Sequence, residues 1–149
     1  MTSIDQTRTK TWRLSPDLLG FVNFDGVFFE TNPAWQTVLG WSEDEIRSKT
    51  FIDFLHPDDV DRSVAIFEHL KRGGSALHFE NRFQCKDGSY RWQSWVGVQD
   101  GDIFFCSARD ITQDKEQLNI LKRYQDALKA NEQRLRLALD IAGIGVWEW

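Results

Sequence analysis

The stretch KDGSYRWQSWVGVQDGDIFFCSARDIT, Lys86–Thr112, decides the fold. It holds two Asp-Gly pairs, Asp87-Gly88 and Asp100-Gly101. A tight hairpin turn needs positive φ, which Gly adopts freely and Asp tolerates, so each pair reads as a turn between antiparallel strands. A third pair, Asp25-Gly26, lies upstream between apolar runs of the same kind. Three hairpins predict five strands, over 18–24, 27–32, 76–86, 89–99 and 102–110. Pairing inside each hairpin follows from its turn. The way the first hairpin joins the later meander does not.

Between the second and third strands the apolar spacing changes from two to helical. Asn32-Pro33 fits a helix start, with Asn as cap and Pro in the first turn. Trp35, Val38 and Leu39 share a face before Gly40. Ser42-Glu43-Asp44-Glu45 has the spacing of a capping box, with Ile46 turned inward. Phe51, Ile52, Phe54 and Leu55 form an apolar patch. His56-Pro57-Asp58-Asp59 then opens a longer helix with an inward stripe of Val60, Val64, Phe67 and Leu70, ended by Gly73-Gly74. A hairpin, a run of helices and a three-stranded meander make an α+β domain with helices on one face of an antiparallel sheet.

The 149 residues carry a net charge of −5. That balance, without a long Lys/Arg cluster, argues against nucleic acid as a partner. Cys85 and Cys106 lie in strand-like stretches with no CxxC pair, and MTSIDQTRTKTW lacks the apolar core of a signal peptide. Reduced thiols and a cytoplasmic location are the expectation. No apolar run approaches the length of a membrane span, so no membrane contact by this chain is expected. His56, His69 and His78 are scattered without metal-ligand spacing, and no catalytic set emerges: catalytic residues none, metal none. His56 reads as a turn or capping residue, and His69 suits the negative end of its helix.

Beyond Thr112 the pattern is a heptad. Leu118, Leu121, Gln125, Leu128, Glu132, Leu135, Leu139 and Ala142 alternate steps of three and four, with Gln125 and Glu132 weakening the seam. Residues 113–139 as one helix would span roughly 40 Å. The alternatives are a helix packed on its own sheet and a parallel coiled coil formed on dimerisation, the latter favoured. After it, Asp140-Ile141-Ala142-Gly143-Ile144 resembles Asp17-Leu18-Leu19-Gly20-Phe21. The expectation is four segments: a flexible N-terminal cap (1–16), the sheet domain (17–112), a coiled-coil-like linker helix (113–139) and the start of a second copy of the domain, cut short (140–149).

Five pieces now stand in order: Asn32-Pro33-Ala34-Trp35, Leu39-Gly40-Trp41-Ser42, His56-Pro57-Asp58-Asp59, Lys86-Asp87-Gly88-Ser89-Tyr90-Arg91-Trp92 and Asp110-Ile111-Thr112. Together, over residues 17–112, they resemble a PAS sensory domain with its PAC motif. The resemblance implies sheet order 2-1-5-4-3, which places the first and fifth strands as central neighbours. It also implies that Asp110, Ile111 and Thr112 are the signal-transfer hinge. Asp110 would bond back toward the domain, and Thr112 would cap the output helix, whose seam is Leu118, Leu121, Leu128, Leu135 and Leu139.

The resemblance further implies a signal-input and dimerisation module of a multi-domain bacterial signalling protein. A sensor histidine kinase of a two-component system is the leading parent, and a cyclic-di-nucleotide synthase or phosphodiesterase is the alternative. The chain itself is expected not to be an enzyme. Blue-light members carry a reactive cysteine in a segment corresponding to Thr50–Phe54, where none stands here. Haem-binding members place an iron-ligating His near the position of Ser63, which disfavours haem. No cofactor is the leading expectation, with a non-covalently held flavin as the alternative.

What remains is a filled core or an apolar small-molecule pocket. Its candidate lining is Phe21, Asn23, Trp35, Leu39, Ile46, Phe51, Leu55, Phe67, Trp92, Cys106 and Ala108. Asn23 is the strongest hint, because a buried amide wants a partner. Trp92 and Trp95 differ in parity, so at least one faces away from the core. An aromatic outer face near Phe105 then needs a cover, and a homodimer through that face and the linker helix is the expected partner, beside downstream domains of the same chain.

Overall fold

The computed structural model describes residues 3–143, with side chains from residue 9 onward. In chain order the elements are α1 (Ser3–Leu14), β1 (Leu18–Asn23), β2 (Phe28–Thr31), α2 (Ala34–Leu39), α3 (Glu43–Arg47), two short 3₁₀ turns (Phe51–Phe54 and Pro57–Asp59), α4 (Val60–Lys71), β3 (Ala76–Gln84), β4 (Tyr90–Asp100), β5 (Ile103–Asp110) and α5 (Thr112–Ile141). Each expected strand is present to within two residues at either end. All three Asp-Gly pairs lie at hairpin turns, with φ of 85°, 92° and 64° at Gly26, Gly88 and Gly101.

The sheet runs β2-β1-β5-β4-β3, antiparallel throughout. The fifth strand therefore sits between β1 and β4. Leu18 pairs with Ala108 and Asn23 with Ile103 on one side, and Gln93 with Asp110 and Asp100 with Ile103 on the other. β3 is an edge strand whose register slips between Ala76 and Phe79. His78, inside that irregularity, takes φ 56°.

The helices between β2 and β3 cover one face. Trp35 Nε1 donates to Leu19 O at 3.0 Å and Trp41 Nε1 to Gln84 O at 2.7 Å, tying the α2 region to β1 and to the edge strand β3. α2 ends at Gly40 in the left-handed region, φ 88°, as its position predicts. The capping box of Ser42 and Glu45 forms in full. Trp35 stands at the centre of an aromatic core, with ring centroids 4.8 Å from Phe28, 6.0 Å from Trp95 and 6.2 Å from Phe83.

Several expectations are corrected. The N-terminal segment, expected as a flexible cap, forms α1, and its Trp12 stacks on Phe21 at 5.7 Å. That contact also covers part of the aromatic outer face, where Phe105 lies 5.4 Å from Phe21. Asn32 does not cap α2 with its side chain. Its Oδ1 accepts from Leu19 N, and its Nδ2 donates to the carbonyls of Trp12 and Asp17. The inward stripe of α4 includes Ser63 and not Val64, because Ser63 is matched to a polar group on β3 and is 2% exposed.

The chain divides into two compact units, Met1–Thr112 and Gln113–Trp149. α5 is one unbroken helix of 30 residues, so it extends past the expected linker end. Leu118, Leu121, Leu128 and Leu135 on it are exposed. The expected start of a second copy, 140–149, begins with the last turn of α5. Ala142 and Gly143 form a turn, and 144–149 lie outside the described residues.

Candidate functional site

A cavity of about 60 Å³ lies between the sheet and the helices. Its walls are Val22 and Phe28 from the first hairpin, Phe51 from the 3₁₀ turn, Ser63, Ile66, Phe67 and Leu70 from α4, and Ala76, Phe79, Asn81, Phe83, Trp95, Val96, Gly97 and Cys106 from β3, β4 and β5. The lining is almost wholly apolar, and its polar part is a short chain of hydrogen bonds. Trp95 Nε1 donates to Asn81 Oδ1 at 2.7 Å, and Asn81 Nδ2 donates to Ser63 Oγ at 3.1 Å. The Ser63 hydroxyl accepts in that bond, so its own hydrogen can still be offered. Burial pushes the Cys106 thiol up to about 12, which keeps it protonated and makes it an apolar wall. Cys85 is raised as well, chiefly by desolvation.

Of the residues singled out from the sequence, Phe51, Phe67 and Cys106 line this cavity. Trp35, Leu39, Ile46, Leu55 and Ala108 are buried core outside its wall. Three candidates lie elsewhere. Phe21 is on the outer face, against Trp12 and Phe105. Asn23 closes the first hairpin, its Oδ1 accepting from Asp25 N and Val27 N. Trp92 lies under the Arg82 guanidinium, 4.9 Å from ring centroid to Cζ. Sequence reasoning missed Ser63, Asn81 and Trp95. One signal was available: Asn81 shares parity with Phe79 and Phe83, a polar residue between aromatics on one strand face.

Two further constellations lie outside the cavity wall. Asp59, only 2% exposed, accepts from Arg82 N, Nε and Nη2 at 2.8, 2.9 and 2.8 Å and from Arg62 Nη2 at 3.1 Å. These bonds, the Arg82 guanidinium's first, hold its carboxyl down to about 2 against desolvation. His56 caps the 3₁₀ turn Pro57–Asp59, its Nδ1 accepting from Asp58 N.

The second constellation is the strand-to-helix junction, where a single residue, Ile111, separates β5 from α5. Asp110 Oδ2 accepts from Arg91 Nε at 2.8 Å, and Asp110 Oδ1 accepts from Thr112 N at 2.9 Å. Thr112 Oγ1 accepts from Trp92 N at 2.8 Å, and Ile111 N donates to Trp92 O at 2.9 Å. Asp110 bonds back to the domain through Arg91, as expected, and the capping role differs. Asp110 supplies the cap at the helix start, and Thr112 is pinned to β4. Among the described residues no helix is long and apolar enough to cross a membrane.

The family model for the PAS fold matches residues 28–102, half of the chain. The chain belongs to the PAS fold family. The matched segment runs from β2 to the last hairpin turn and so contains most of the cavity wall. Among curated proteins this PAS domain is similar to "Probable diguanylate cyclase DgcE" of Escherichia coli (strain K12), 29% identical over 136 residues. That match takes in 88% of this chain and 12% of the relative, so the chain spans about an eighth of the relative's length.

Solved structures share the PAS fold, among them the following two. A domain of the sensory box sensor histidine kinase/response regulator from Geobacter sulfurreducens superposes with TM-score 0.64 at 15% identity, covering 72% of this chain and 94% of that one. The PAS domain of the Cronobacter turicensis quorum-sensing receptor RpfR, in complex with BDSF, superposes with TM-score 0.59 at 19% identity, covering 66% and 96%. These likenesses show that the chain shares the PAS fold.

Proposed function

We propose that the cavity is the input site and the Asp110-Ile111-Thr112 junction the output of one sensory module. One observation carries this reading. β5 contributes Cys106 to the cavity wall and, four residues later, Asp110 to the junction. A molecule that enters the cavity and displaces Cys106 therefore moves a strand whose end caps α5. The module works by population shift: two arrangements of the junction differ by a few kcal/mol, and an occupant bound better by one of them biases the pair.

The chemistry of the lining favours a small apolar molecule with one hydrogen-bonding head for Ser63. The cavity is well below the roughly 300–1,000 Å³ of drug-sized sites. That size favours a small occupant over a flavin or haem, each of which would require the core to open. No cofactor is part of this reading, and the module does no chemistry of its own. The exposed α5 leucines favour a homodimer formed along that helix.

The output is a catalytic domain elsewhere in a longer chain. A cyclic-di-nucleotide synthase is favoured by the alignment with DgcE over 88% of this chain. A histidine kinase is the second reading, favoured by the likeness to the Geobacter sulfurreducens domain. The deciding experiment compares the purified parent's two activities: diguanylate synthesis from GTP, and autophosphorylation from ATP. Visible absorbance of the same preparation tests for a flavin or haem. A colourless parent active in the first assay is the expected result; a flavin or haem spectrum would overturn the cofactor-free reading.

A further inference from the structure

Gln93 lies in β4, is 0% exposed, and is the one residue among those described whose buried side-chain polar atoms lack a hydrogen-bond partner: both Oε1 and Nε2 are unpaired. A buried amide left unmet on both sides is costly, so its surroundings bear on function. In the sheet register Gln93 stands directly opposite Asn81 on β3 and directly opposite Asp110 on β5. Directly paired residues share a face, with Cβ atoms about 4.5–5.5 Å apart. A polar row therefore crosses three strands under the helices. At one end is the amide of the cavity wall, at the other the carboxylate that caps α5, and between them an unpaired glutamine long enough to reach either.

Both neighbours have unused capacity. Asn81 commits one Nδ2 hydrogen to Ser63 and one Oδ1 lone pair to Trp95, which leaves a second hydrogen. Asp110 accepts one bond on each oxygen, from Arg91 and from Thr112 N, which leaves two lone-pair sites. A bridged arrangement, with Asn81 Nδ2 donating to Gln93 Oε1 and Gln93 Nε2 donating to Asp110, keeps both Asp110 bonds and gives up the Asn81–Ser63 bond. Its only obstacle is the orientation of the Asn81 amide, which Ser63 and Trp95 fix.

We propose that Gln93 is the positioning residue that links the cavity to the junction, unpaired in the arrangement seen here and bridging Asn81 to Asp110 when the Asn81 amide is released from Ser63. The idea rests on the sensory reading above for its purpose: the releasing agent is the head group of a cavity occupant that donates to Ser63 Oγ in place of Asn81 Nδ2. The bridge gives Asp110 a further donor, fixes its carboxylate, and so strengthens the cap on Thr112 N.

The test is a double-mutant cycle on the 149-residue chain, read by hydrogen exchange at the Thr112 amide. Ser63→Ala releases Asn81 without any ligand. It should slow exchange at Thr112 by roughly threefold to tenfold, the size of one added hydrogen bond, and move the Gln93 side-chain amide protons downfield. In a Gln93→Leu background the same change should leave Thr112 unaffected. Gln93→Leu removes only the unpaired amide, so it should melt no lower than the unsubstituted chain. Gln93→Met carries the same prediction should leucine prevent folding.

An equal effect of Ser63→Ala with and without Gln93, or none in either, overturns the proposal. That is the outcome if a trapped water satisfies Gln93 without linking the two ends. The result is independent of the sensory reading. Gln93-dependent exchange in a parent whose output ignores the cavity would fault that reading alone. Regulation that survives Gln93→Leu would fault this link alone.

Discussion

Asp59 has the ordinary carboxylate value of 3.8 when unfolded and about 2 when folded, held down by Arg82. Its ionised form therefore favours the folded state. The contribution, on the order of 2 kcal/mol, is fully present above about pH 4 and is lost as pH falls through about 2. Asp59→Asn should destabilise the domain by about 2–4 kcal/mol at neutral pH, since it strands the Arg82 guanidinium. Urea unfolding at a series of pH values checks this. The variant should lose less stability than the unsubstituted chain between about pH 4 and 2, and parallel curves would contradict the assignment. Trp95→Phe makes a separate prediction: it leaves Asn81 Oδ1 without its donor and should cost about 1–3 kcal/mol in the same assay. Much at this scale was not legible beforehand. Asn23 and Asn81 are both strand asparagines, yet the first serves a local turn and the second faces the core. Parity alone could not separate the faces, because Phe21, Phe29 and Phe105 make the outer face aromatic too.

The hairpins and the helix starts were readable because their chemistry is local. Asp-Gly pairs and a Ser-x-x-Glu box carry their own φ preferences and hydrogen-bond partners within a few residues. The place of β5 beside β1 depends on pairing with residues 80 to 90 positions away, and it came only from the family resemblance. Asn32 shows the same limit. A helix cap by spacing, its side chain is used instead by carbonyls on the approach to β1. The junction makes a prediction at this scale. Thr112→Val keeps shape but removes the acceptor for Trp92 N, so it should cost about 1–2 kcal/mol. Exchange of the Trp92 and Ile111 amides should quicken more than that of the β1 amides. Uniform quickening across the sheet would mean that Thr112 merely stabilises the domain as a whole.

For the whole molecule, covalent continuity matters most: one residue separates the strand that lines the cavity from a 30-residue helix with exposed leucines. If those leucines form a dimer seam, Leu121→Gln with Leu128→Gln should shift the chain toward monomer in sedimentation. An unchanged mass would place the dimer contact elsewhere. The helical period of α5 was plain in the sequence, whereas what covers its apolar stripe was not, because the same heptad spacing serves a helix packed on its own sheet and a coiled coil. The central claim is that β5 drives α5 as a continuous connection. Its most direct test is the output of the full-length parent with one residue inserted after Thr112. One added residue turns every later helical position by about 100°, so the account predicts that output loses its dependence on the input signal while the domain stays folded. Regulation unchanged by that insertion would contradict it.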